Sequence, residues 1–275
     1  LERPMGAQGA PSALGYPGGS FGAALFEHIP FATILVSYVA VLFALSLHEA
    51  AHATSAYLLG DDTAASLGRM TLNPIAHMDW LGTLVLPLIG MVTGARVIGW
   101  AKPVPVDVSR LSRRFRARVG YAMVAAAGPA SNLLQSLVFL VALSLFIRFS
   151  IPADPALRLD LFAASMFLPV ERVLGYGLFS AGQVLAMTLL GRLVIINVGL
   201  AIFNLLPFGP LDGAGILRGF LPFRALATFD RIQPTITIVL LILFFVGVMG
   251  YILAPLFFLA ENFYIMPLAR LFLGV

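Results

Sequence analysis

Cysteine is absent from the 275-residue chain, so disulfides and thiolate metal sites are excluded. Any bound metal must draw on His, Asp or Glu. Charge is scarce as well. Charged residues make up 11% of the chain and hydrophobic ones 60%, where soluble domains average about 25% and about 45–50%. Mean hydropathy is +0.95. A water-soluble protein this apolar would expose large adhesive patches, so the composition predicts a polytopic all-α membrane protein with the lipid bilayer as its surroundings. The net charge of +4 does not signal nucleic acid. The positive residues cluster beside apolar segments, as the positive-inside rule expects, instead of covering a soluble face. All but one of them are arginine, Lys102 being the exception, and Ala and Gly are abundant. That is the bias of a GC-rich bacterial genome and points to a bacterial inner membrane. Residues 1–20 lack a basic start followed by an apolar stretch and do not resemble a cleaved signal peptide. No period of 20–50 residues is visible.

What the chain does contain is long apolar runs. Residues 1–30 are expected to form a flexible tail, 31–260 a membrane core and 261–275 a C-terminal segment. About four transmembrane helices are expected, over Phe31–Leu59, Val119–Ile147, Leu174–Leu206 and Ile236–Leu259, each exceeding the ~20 residues needed to cross hydrocarbon. Trp80–Val92 is too short to cross and is broken by Pro87 and Gly90. It suits a re-entrant segment, within a re-entrant or β-strand region over 60–106. Val97–Val106, with Pro103 and Pro105, reads as an edge strand able to hold an extended peptide.

Lys102, Arg110, Arg113, Arg114, Arg116 and Arg118 face a single acid, Asp107, in the loop before the second span, which should therefore be cytoplasmic. Residues 149–173 lack that excess and suit the outer side, while Arg218, Arg224 and Arg231 mark the next cytoplasmic loop. The second span then runs outward, the third inward and the fourth outward.

One constellation carries chemistry. His48-Glu49-Ala50-Ala51-His52 is an H-E-x-x-H motif in an apolar segment. Positions i and i+4 share one helix face, so both imidazoles can reach one metal, with Glu49 beside it as a base. Such a spacing arises by chance in about one chain in a thousand of this composition, and ionisable residues inside a span are costly without a function. A catalytic zinc takes a third protein ligand. Asp212 is a candidate, since it stands in an unwound, Pro- and Gly-interrupted stretch after the third span. A helix N-cap is the alternative reading of it.

The chain resembles the site-2 protease family of intramembrane metalloproteases, in the compact branch without a PDZ or CBS domain. H-E-x-x-H and Asn204-Leu-Leu-Pro-Phe-Gly-Pro-Leu-Asp212-Gly213 carry the resemblance. Gly60-Asp61, Gly68 to Pro74, Gly99 to Val106 and Ala127-Gly128-Pro129-Ala130-Ser131-Asn132 extend it. One departure is Gly209, where many relatives have Pro. The resemblance implies that His48, His52 and Asp212 bind one Zn2+ and that Glu49 is general base and acid. It gives Asn204 a role in binding substrate backbone or the developing oxyanion, against a helix C-cap as the alternative. The implied function is hydrolysis of peptide bonds in single-span membrane-protein substrates at an active site near the cytoplasmic face. A metal or proton transporter using the His/Asp cluster is the competing function. For the ligands to meet, the first span must run inward and Trp80–Val92 must dip and return. His77 is expected to make a structural hydrogen bond near the Asn73-Pro74 turn, with extra ligation as the alternative, and His28 to be solvated at the interface.

Overall fold

In the computed structural model, residues 31–93, 99–112, 114–151 and 153–275 are described. The expected tail, His28 and residues 97 and 98 of the expected strand lie outside them. Among the described residues twelve α-helices follow one another: α1 (Phe31–Leu58), α2 (Thr63–Ser66), α3 (Pro74–His77), α4 (Leu86–Thr93), α5 (Ala117–Ser150), α6 (Pro155–Phe167), α7 (Val170–Leu174), α8 (Ala181–Asn204), α9 (Asp212–Phe220), α10 (Phe223–Val246), α11 (Met249–Ala260) and α12 (Met266–Leu273). Short π-helical stretches precede α4 and join α11 to α12. No β-strand occurs among the described residues. The protein is an all-α integral membrane protein.

Among the described residues five helical stretches are long and apolar enough to cross a membrane, where about four are expected: 32–58, 117–150, 181–204, 223–246 and 249–273. The expected fourth span, 236–259, is broken by Gly247, whose φ of +88° ends α10 in the left-handed conformation that glycine adopts most easily. The contacts fix the directions. α1 and α5 are antiparallel, His48 meeting Asn132 and His52 meeting Val124. The stretch 249–273 runs parallel to α5: Tyr264 bonds Ser136 at 2.8 Å, and Arg148 reaches the carbonyl of Phe272. It therefore starts at the end of the bundle where α5 starts. α10 starts there too, because Arg118 donates to the carbonyl of Leu221 at 3.0 Å. The chain thus enters and leaves α10 at one end of the bundle, and no residue of α10 is buried.

The apolar core lies at the opposite end, among Leu140, Leu143, Ile147, Phe162, Met187, Ile265 and Leu273. Arg158 fastens it there, donating to the carbonyls of Leu273, Arg148 and Ile151. These carbonyls end α12 and α5, and helix ends leave such groups without intrahelical partners.

Between α1 and α5 the chain makes an excursion and returns. Ser112 N–H donates to the carbonyl of Leu59 at 2.6 Å, so 60–111 begins and ends at one place. Asp61, fully buried, ties this junction by accepting from Thr63 N, Thr63 Oγ1 and Asp107 N. Asp79 caps the helical run from Trp80 to Thr93 by accepting from Leu81 and Gly82. Those 14 residues rise only about 21 Å at ~1.5 Å each, short of the ~30 Å of hydrocarbon. Trp100 then donates to the Gly82 carbonyl at 3.2 Å, bringing the chain back beside its point of departure. The excursion thus leaves and rejoins the helices at one place, through a helical run too short to cross hydrocarbon. Residues 99–106 form no regular element and pair with no strand among the described residues, several of their polar groups being engaged elsewhere. Lys102 N–H donates to His77, the carbonyls of Lys102 and Pro103 accept from Arg69, and prolines 103 and 105 carry no N–H.

Candidate metal centre

His48 and His52 sit one turn apart on α1, 4% and 8% exposed, with their Nε2 atoms 3.1 Å apart. Asp212 Oδ2 lies 3.2 Å from His48 Nε2, and Oδ1 lies 3.4 Å from His52 Nε2. The order of donors and acceptors decides what this cluster can do. The Nδ1 of His52 contacts the Val124 carbonyl at 2.8 Å. A carbonyl only accepts, so Nδ1 carries a proton, and in the neutral ring Nε2 keeps its lone pair. The Nδ1 of His48 contacts Asn132 Oδ1 at 2.5 Å, which sets the same tautomer.

With neutral rings, two bare Nε2 atoms and a carboxylate thus converge with no proton to share. That is unfavourable alone and is what a cation requires. Asp212 Oδ2 is buried without a hydrogen-bond partner. The separations of 3.1, 3.2 and 3.4 Å match the roughly 3.3–3.4 Å between ligand atoms of a tetrahedral site with bonds of ~2.0–2.1 Å. His48, His52 and Asp212 form a three-residue group able to hold a metal ion, and the donor set suits zinc. Each histidine has its other nitrogen anchored, as metal-binding imidazoles ordinarily do. Gly128 of α5 makes room: a Cβ there would strike both rings.

Asp212 arrives differently. It is the first residue of α9, after a loop over 205–211. At Gly213 a Cβ would overlap the carbonyls of Leu205 and Leu206, so the chain folds tightly back on the end of α8. α9 packs on α5 through small residues, Gly215 against Tyr121 and Ala125 and Gly219 against Ala122. The loop itself is held from α10. Gly209 N–H donates to Gln233 Oε1 at 2.6 Å, and Thr237 Oγ1 donates to the Gly209 carbonyl. The departure at 209 therefore has a use, since proline would have no N–H to give.

Glu49 is half-buried beside His48, and its Oε2 accepts the Val104 N–H at 3.0 Å. Val104 stands between two prolines, so it offers the one N–H of 103–105. Asn204 is the last residue of α8, half-buried, just before the loop. His77 lies outside the metal group. It is buried, and its Nε2 contacts the Thr71 carbonyl at 2.8 Å beside the turn that Asn73 caps. Sequence reasoning quoted Gly128, Asn132 and Val104 without a task for any of them at the metal site, and missed Asn197, Gln233 and Thr237. For Asn197 a signal existed, an amide in the middle of an apolar span. Val104, Gln233 and Thr237 become meaningful only when distant segments meet.

The family model described as "Peptidase family M50" matches residues 36–247. The chain is 32% identical over 233 residues to "Putative zinc metalloprotease YwhC" of Bacillus subtilis, covering 84% of this chain and 90% of that protein. It is 29% identical over 204 residues to "Putative zinc metalloprotease Rip2" of Mycolicibacterium smegmatis, covering 73% of this chain and 64% of that protein. No solved structure matches the chain.

Proposed function

The chain belongs to peptidase family M50, and from that premise we propose that it hydrolyses peptide bonds in or near the transmembrane segments of single-span membrane proteins. The work is done at the inner membrane of a bacterium, on the cytoplasmic side. One observation carries the reading. Glu49 follows His48 in sequence, half-buried, within a segment whose His48–His52–Asp212 group is suited to zinc, on a helix apolar enough to cross a bilayer. The comparisons offer no support for transport.

Zinc, when bound, supplies Lewis-acid activation of water and of the scissile carbonyl. Glu49 takes the proton of the attacking water and returns it to the leaving amine. The Val104 N–H holds one carboxylate oxygen of Glu49, which leaves the other for proton transfer. Asn204, beside the loop, is a neutral donor for the developing oxyanion. The cytoplasmic side follows from charge. Arg110, Arg114, Arg116, Arg118, Arg218 and Arg224 gather at the end of the bundle where α5 and α10 start.

Glu49→Gln tests the reading. It removes the base and leaves the ligands, so the variant is expected to bind zinc as the native chain does and to lose cleavage of a single-span substrate panel. Cleavage near the native rate would rule out the chemistry.

A further inference from the structure

Asn132 and Asn197 are both 0% exposed, on α5 and α8. Two amides at such depth are costly unless each of their groups is matched. The matching here has a direction. Asn197 Nδ2 donates to the Leu193 carbonyl at 2.8 Å. That carbonyl can only accept, so Asn197 must turn its oxygen the other way. Asn197 Oδ1 then accepts from Asn132 Nδ2 at 2.7 Å. Asn132 in turn presents Oδ1, and not its NH2 group, to His48 at 2.5 Å.

The contact between His48 and Asn132 does not by itself choose that orientation. An amide turned through 180° would offer N–H to a bare Nδ1, and the ring would move its proton to Nε2. A protonated Nε2 has no lone pair for a metal. The choice is made one contact further out, where nothing touches the metal group. We propose that Asn197 is a positioning residue of the metal centre: it holds the Asn132 amide in the orientation that keeps His48 Nε2 bare. The inference rests on the reading above, in which His48 binds zinc.

The test is a double-mutant cycle read as zinc affinity, with the full chain in detergent competing against a chromogenic chelator. Asn197→Leu removes the acceptor at similar size and frees the Asn132 amide to turn. It is expected to weaken zinc binding about 10–100-fold, as loss of a partner behind a ligand does. Asn132→Asp presents an oxygen whichever way it turns. In that background Asn197→Leu is expected to change affinity no more than about twofold, the ordinary additivity error. Asn197→Asp, which keeps an acceptor, is expected to retain near-native affinity beside native Asn132.

Equal losses in both backgrounds would mean that Asn197 merely packs and would overturn the proposal. So would an Asn197→Leu variant of native affinity, or an Asn197→Asp variant as weak as Asn197→Leu. A native chain that binds no zinc would overturn the metal reading itself, and with it this inference.

Discussion

His48 and His52 reach the metal centre from the body of α1, and both rings are anchored behind by α5. Asp212 reaches it from the first residue of a nine-residue helix, after a loop held by Gln233 and Thr237 of α10. The first half is backed by buried amides and a glycine cut to fit the rings. The second half hangs from a helix with no buried residue. Local opening favours regions with few buried contacts, so on the aspartate side the α10 support, and not α9 packed on α5, is the part that can yield. A site that must admit a peptide between ligand and base needs one half that holds position and one that moves.

The largest expected effects lie on the histidine side. Gly128→Ala, His48→Ala and His52→Ala should each remove most of the bound zinc, measured by metal analysis of purified protein. For Gly128→Ala the cause is steric, because the added methyl collides with both imidazoles inside a packed interior. If Gly128→Ala kept full occupancy, the histidine half would be as yielding as the other and the comparison would fail.

The next effect concerns the clasp that ends α1. The buried Asp61 would be pushed up by burial. Hydrogen bonds from Thr63 and the Asp107 N–H, with the Arg110 charge, outweigh that and hold it below the ordinary carboxylate range. A folded-state pKa below the unfolded one means stabilisation present above the unfolded value, about 3.9, and lost as pH falls through the folded value. Asp61→Asn should therefore lower stability by about 1–3 kcal/mol at pH 7. The gap should close below about pH 4, followed by unfolding in detergent at several pH values. A gap that persisted in acid would assign the clasp to packing instead of charge.

The smallest effects belong to the loop. Gln233→Ala and Gly209→Pro each delete one hydrogen bond, about 1 kcal/mol, so zinc affinity should fall by no more than about tenfold in either. Because both remove the same bond, the double variant should be no weaker than the worse single one. Full additivity would show that α10 does not reach Asp212 through Gly209.

Much of this was legible in the sequence. H-E-x-x-H marked His48, Glu49 and His52 as candidates, the unwound stretch around Pro207 and Pro210 marked Asp212, and the two histidines and the aspartate do come together. The return of 60–111 followed from charge and from the need for His48 and Asp212 to meet. The strand over 97–106 does not appear in the described part, because Arg69 and His77 consume the polar groups that a neighbouring strand would need. The last helical stretch long and apolar enough to cross is 249–273, where 236–259 was expected. Hydropathy records length and apolarity, whereas direction is set by side chains such as Tyr264 and Arg148 that meet partners over a hundred residues away.

Gly209 and Gln233 have a consequence for inheritance. A lineage that places proline at 209 removes the N–H and leaves the Gln233 oxygen without its donor, so selection for an amide at 233 lapses with that single change. In the reverse direction, glycine at 209 gives value to an acceptor one helix away. The two positions, 24 residues apart, should drift as one character: an alignment of relatives sorted by residue 209 should show glutamine at 233 concentrated among those that carry glycine.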